Sequence, residues 1–222
     1  MLLDDCTVLT CTYNKCELVD YMVRSLFKQL GRKLPVVVMN NGGSVHSPVF
    51  NAKLFREVDN RGSKLLGMKP ENMSQPSDRH ACSIDWALHH AIDSKWVLLA
   101  DDDVLFKPPV RKLLATIPSG SDYGAVGQVG WDRTPGDRLL PYFCAFNAYR
   151  MRRDGIRYWR PDMCMASKPP VDTGASFNHD ISAAGWRILK IELVDFVDHL
   201  KNASLRNLDT SKWIDKGRSL WE

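Results

Sequence analysis

The stretch Trp96-Val97-Leu98-Leu99-Ala100-Asp101-Asp102-Asp103-Val104-Leu105-Phe106 constrains this chain more than any other. A short, wholly apolar run bounded by turn-type residues reads as a strand covered on both faces, and such strands sit in the middle of parallel sheets. Three consecutive carboxylates stand at its carboxyl end. Like charges packed this closely repel, and burying them costs several kcal/mol unless something offsets them. Two readings fit. The triplet is a solvated acidic turn, or it holds a hard divalent cation, since Mg²⁺ takes carboxylate oxygens and shares them with substrate phosphates.

The surrounding elements set the context. Thr7–Thr12 reads as a buried strand, and Glu17–Leu30 has helical apolar spacing through Leu18, Tyr21, Met22, Leu26 and Leu30, with Gly31 as its stop. Leu34–Met39 is a second strand ended by Asn40-Asn41-Gly42-Gly43, and Leu54–Val58 is a short third. Asp78–Ile92 reads as a helix before the Trp96–Ala100 strand. Alternating strands and helices predict an open α/β sheet that binds its ligand at the carboxyl ends of the strands. Beyond Pro108-Pro109, Val110–Thr116 reads as a short helix, and Tyr123–Val129 and Leu140–Tyr149 as strands around a turn at Asp132–Asp137. Arg150–Pro170 reads as loop, Ala175–Ala184 as helix, and Ile188–Val197 as one strand leading to Asp198-His199.

Composition bounds the rest. A chain of 222 residues with 44% hydrophobic and 25% charged residues supports a sizeable core. The net charge of +4 favours an anionic ligand mildly and gives no reason to expect nucleic acid. No apolar run has the length of a membrane span, and Asp4 and Asp5 occupy the place of a signal peptide's basic region. None of the six cysteines forms a Cys-x-x-Cys pair. They read as free thiols, which predicts a reducing setting, that of a cytoplasmic protein or a cytosol-facing domain. The expected organisation is one domain over 1–222, with a nucleotide-like half over 1–104 and a second, more irregular half over 105–222.

Val8-Leu9-Thr10-Cys11-Thr12-Tyr13-Asn14 and Val36-Val37-Val38-Met39-Asn40-Asn41-Gly42 resemble the first two strands of family 2 glycosyltransferases. Arg79 to Asp103 resembles their helix and strand leading to an Asp-x-Asp motif, and Tyr123-Gly124-Ala125-Val126-Gly127 the strand after it. Arg152-Arg153, Val171-Asp172-Thr173-Gly174 and Val197-Asp198-His199 fall where that family carries an Arg pair, a catalytic acid residue and a late histidine. Asn40 stands where the family commonly has aspartate, and Asp-Thr-Gly where Glu-Asp is usual. The resemblance implies a Rossmann-like A-type (GT-A) fold, with a mostly parallel sheet, helices on both faces and a smaller irregular acceptor side. It implies Mn²⁺- or Mg²⁺-dependent transfer of a sugar from a nucleotide diphosphate sugar, UDP before GDP or dTDP, to a carbohydrate or other hydroxyl acceptor.

Site residues follow from the same resemblance. Asp103 is the expected cation ligand and His199 a second ligand or a diphosphate contact, with Asp101 at the ribose or a cation-bound water and Asp102 holding the loop or standing as a surface or capping carboxylate. Thr10, Thr12 and Asn40 would wall the nucleoside pocket. Arg79 would meet the diphosphate or lie on the helix surface. Asp172 would be the general base, an N-cap, or both, with Asp180 as the other candidate base. The Arg150–Arg160 segment reads as a mobile acceptor or phosphate loop, or as a solvated one. The rival readings are a nucleotidyltransferase, whose Gly-rich loop is missing after Thr12, and a non-catalytic nucleotide-sugar-binding module.

Overall fold

The computed structural model describes residues 2–13, 15–41, 55–59, 76–117, 123–131, 137–163, 173–200 and 211–220. In chain order the elements are β1 (Cys6–Thr12), α1 (Cys16–Leu30), β2 (Val36–Asn40), β3 (Phe55–Asp59), α2 (Pro76–His90), β4 (Trp96–Ala100), β5 (Val104–Phe106), α3 (Pro109–Thr116), β6 (Tyr123–Trp131), β7 (Asp137–Asn147), α4 (Ala148–Arg153), α5 (Ala175–Ala183), β8 (Arg187–Lys190), β9 (Val197–His199) and α6 (Ser211–Gly217). Seven strands form one sheet in the order β3-β2-β1-β4-β7-β6-β8. Only β7 runs against its neighbours, so the sheet is mostly parallel.

β1 and β4 pair along Cys6↔Trp96 to Leu9↔Leu99, and β1 also pairs with β2 along Val8↔Val36 to Thr12↔Asn40. The chain travels outward from β1 through β2 to β3, then returns to the other side of β1 as β4. That reversal opens a crevice at the carboxyl ends of β1 and β4, the usual ligand position in open α/β sheets.

Alternation along the strands builds two cores. Leu9, Cys11, Val37, Met39, Val97 and Leu99 face the apolar sides of α2, α4 and α5. Val8, Val36, Val38, Leu98 and Ala100 face α1 and α3. Within α1 the buried set Leu18, Val19, Met22, Val23, Leu26 and Leu30 keeps one stripe toward the sheet. Gly31 ends α1 at φ 66°, a left-handed conformation open to glycine, and its N–H donates to the Phe27 and Lys28 carbonyls.

Two expected elements differ. Ile188–Val197 is not one strand: β8 ends at Lys190, a 3-10 turn covers Leu193–Asp195, and β9 begins at Val197. The Leu193 N–H donates to the Gln128 side chain at 2.8 Å, which diverts the chain from the main sheet. β9 pairs instead with β5 in a separate two-stranded ribbon. Arg150–Pro170 is also not all loop. The Asn147 side chain accepts from the Arg150 N–H at 2.8 Å and caps α4, and Gly155 at φ 67° follows its end. The turn expected at Asp132–Asp137 falls mostly outside the described residues.

Candidate active site

Strand alternation continued past Ala100 carries Asp101 to the α2 side of the sheet. Its backbone N–H donates to the Tyr142 carbonyl of β7 at 3.2 Å, fixing the residue at the mouth of the crevice. The chain then turns through Asp102 and Asp103 into β5. The antiparallel ribbon sets Val104 opposite His199, and the Leu200 N–H donates to the Asp103 carbonyl at 3.0 Å. Backbone pairing alone thus seats the imidazole beside the acidic turn.

Asp101, Asp103 and His199 each offer a ligand atom, and these atoms all lie within 4.8 Å of one another. His199 Nε2 is 3.1 Å from Asp103 Oδ1, with side chains 15% and 3% exposed. The Tyr142 ring lies against His199, centroids 4.1 Å apart at 32°. Asp101 Oδ1 is 3.5 Å from His80 Nε2, and both of these atoms are buried without a hydrogen-bond partner. Burial holds the Asp101 carboxyl above the ordinary carboxylate range; His80 pulls it down, Asp103 pushes it up, and His199 and Arg138 pull it down. Two carboxylates and one imidazole suit a divalent cation: oxygen donors suit Mg²⁺, and an added imidazole suits Mn²⁺ better.

The other expected residues take definite places. Asp102 is buried, so it is not a surface carboxylate, and it stands outside the three-residue cluster. Thr10 is buried in β1 with its Oγ1 unpartnered. Thr12 Oγ1 accepts from the Lys15 N–H at 3.1 Å, and the Thr12 carbonyl accepts from the Asn41 N–H at 2.8 Å. Asn40 is buried opposite Thr12 in register. Arg79 is exposed in the first turns of α2. Asp172 and Cys164 lie outside the described residues. Thr173 is buried, and Gly174 at φ 85° opens α5. Asp180 is tied to Arg160 at 2.9 Å and to His179 at 3.1 Å.

Several arginines of the Arg-rich segment have partners within the protein. Arg152 donates to the carbonyls of Leu88 (3.0 Å) and Ile92 (3.2 Å), closing the end of α2. Arg157 forks onto Asp85, and Arg150 lies over the Trp186 ring at 4.8 Å. His80 and Tyr142 were not among the expected residues. His80 was legible as a polar neighbour of Arg79 at a helix start; Tyr142 depends on β7 register, which sequence spacing does not give.

The chain matches no protein-family model and no curated protein. Its fold does match solved structures. A mannosyltransferase from Pyrobaculum calidifontis in complex with GDP-Man and Mn²⁺ is 21% identical, with a TM-score of 0.53 over 84% of this chain and 54% of that one. The glycosyltransferase GlyE of Streptococcus pneumoniae is 12% identical, with a TM-score of 0.55 over 85% of this chain and 45% of that one. S. aureus TarS in complex with UDP-GlcNAc is 12% identical, with a TM-score of 0.52 over 97% of this chain and 65% of that one. This chain spans less than two-thirds of each of the three. The fold is therefore of the GT-A type, the class expected from the sequence.

Proposed function

We propose that this chain is a cation-dependent glycosyltransferase, family 2-like, that moves a sugar from a nucleotide diphosphate sugar to a hydroxyl acceptor with inversion. The observation that carries the reading is the convergence of Asp101, Asp103 and His199 at the sheet's switch point. The GT-A fold supports it, as do neighbours whose complexes hold GDP-Man with Mn²⁺ and UDP-GlcNAc.

A bound Mn²⁺ or Mg²⁺ supplies Lewis-acid stabilisation of the departing diphosphate. Asp103 and His199 would hold it, with Asp101 beside them. Thr10, Thr12 and Asn40 would wall the nucleoside and Asp102 would hold the loop. Arg79 would meet the diphosphate. Asp172 would accept the acceptor proton as the bond from acceptor oxygen to anomeric carbon forms and the bond to phosphate oxygen breaks. UDP is the favoured nucleotide and a carbohydrate or other hydroxyl compound the acceptor, in the cytoplasm. No helix among the described residues is long and apolar enough to cross a membrane, and the described cysteines are free.

Calorimetric titration of UDP and GDP with and without Mn²⁺ tests the cation assignment. Asp103→Ala should abolish the Mn²⁺-dependent part; unchanged binding removes the assignment. NMR of the product tests the stereochemistry, and retention at the anomeric carbon rules out a single-base displacement.

A further inference from the structure

We infer that His80 is a positioning residue of the cation site: its Nε2–H donates to Asp101 Oδ1 and holds that carboxylate toward Asp103 and His199. The inference rests on the proposed cation-dependent reading and adds a residue to it.

Asp101 has one anchored end and one unanchored end. Its backbone is held by the Tyr142 carbonyl. Its Oδ1 is buried, has no hydrogen-bond partner and stands 3.5 Å from the equally buried His80 Nε2. A carboxylate beside a second carboxylate is pushed away from it by like-charge repulsion. A donor on one carboxylate oxygen counters that push and selects one orientation, as donors around ligating groups do in metal sites. A shift of a few tenths of an ångström aligns the pair as a hydrogen bond.

The location of His80 favours a fixed role over a wandering surface histidine. α2 begins at the carboxyl ends of the strands, and its early turns are tied there: Ser83 Oγ lies 2.7 Å from the Asn41 side-chain oxygen at the end of β2. On the buried side of the same turns, Ala81, Cys82 and Ile84 pack into the core. The His80 ring is mostly covered, and its Nε2 is the buried end. His80 is not in the three-residue cluster, so its effect passes through Asp101.

The test measures Mn²⁺ affinity directly, by electron paramagnetic resonance of free Mn²⁺ in the presence of UDP. His80→Leu, which removes the donor, should weaken Mn²⁺ binding by roughly 10- to 100-fold, the usual effect of losing an outer partner of a ligand. His80→Gln, which keeps an N–H donor, should stay within about threefold of wild type if the donor rather than the ring matters. Wild-type affinity in a folded His80→Leu variant overturns the inference and leaves the proposed function standing. Absence of Mn²⁺ binding by the wild-type protein with UDP overturns both. A measurement on the wild type keeps the idea testable if His80→Leu does not fold. The ¹⁵N spectrum of the His80 ring in the Mg²⁺–UDP complex should show the Nε2–H tautomer, and an unprotonated Nε2 overturns the assignment.

Discussion

Asp85 is the residue whose removal best separates a structural arginine segment from a substrate-binding one. It projects from α2 with its side chain 4% exposed, whereas Arg157 is 55% exposed. Asp85 Oδ1 accepts from the Tyr158 N–H at 2.7 Å, and Asp85 Oδ2 accepts from Arg157 Nε at 2.9 Å. In Asp85→Ala the Tyr158 N–H loses its acceptor in a buried setting, at about 1–3 kcal/mol. The half-exposed Arg157 regains water, so its share is screened to no more than about 1 kcal/mol. The expected loss is about 1–4 kcal/mol, or roughly 2–16 °C in Tm for a chain of this size. Asp85→Asn keeps an oxygen for Tyr158 and should lose about half as much. Urea and thermal unfolding followed by circular dichroism read these losses, and calorimetry reads nucleotide-sugar affinity on the same samples. Arg157→Ala should lower stability modestly and leave that affinity within about threefold. An Asp85→Ala protein within about 0.5 kcal/mol of wild type refutes the clamp. So does an Arg157→Ala protein of unchanged stability whose donor affinity falls tenfold or more.

Two further outcomes follow from buried geometry. A Cβ at Gly174 would meet the Leu139 carbonyl oxygen and require a left-handed residue at φ 85°, so Gly174→Ala should destabilise by about 2 kcal/mol or more; an unchanged melting temperature contradicts this. Burial pushes the thiols of Cys6 and Cys82 up to about 12 from 9.0. Below pH 9 both states keep these protons; above it the unfolded chain gives them up first. Stability should therefore fall as pH rises from about 9 toward 12, and urea midpoints across that range check the sign. A midpoint that stays level or rises contradicts the burial of these thiols.

Local periodicity carried much of the fold. β1, α1, β2, α2 and β4 follow from apolar spacing, turn residues and one helix-ending glycine, because each satisfies most of its backbone and packing needs within a short span. The acidic triplet and the late histidine were also legible, as chemistry placed at strand ends. What failed was non-local. Three-residue strands such as β5 and β9 carry no period, so their pairing across the chain left no local trace. The arginines of α4 and its flank read as solvated because charge usually marks exposure. Two of them, Arg152 and Arg157, are instead spent on α2 and its end, where the Leu88 and Ile92 carbonyls and Asp85 take them, while Arg150 and Arg153 pair with Asp154. His80 was visible only as a helix-start residue; its relation to Asp101 needed the packing of α2 on β4.

The β5–β9 ribbon explains why the two ends of the Asp101, Asp103 and His199 cluster have different supports. Asp101 belongs to the main sheet, held through β7 by the Tyr142 carbonyl. Asp103 and His199 belong to the ribbon, where the Leu200 N–H meets the Asp103 carbonyl and the Lys107 N–H meets the Phe196 carbonyl at 2.8 Å. The ribbon in turn rests on α1: the Phe106 N–H donates to Ser25 Oγ at 3.0 Å, and Val104 and Phe106 are buried with Met22 and Leu26 in one core. A one-residue slip of β9 would turn His199 to the opposite face and put Asp198 near Asp103, replacing an attractive neighbour with a repulsive one. Register in this short ribbon is thus fixed by the apolar anchors behind it as well as by its few hydrogen bonds. The cluster therefore depends on α1 packing as directly as on the acidic triplet, although no residue of α1 is part of it.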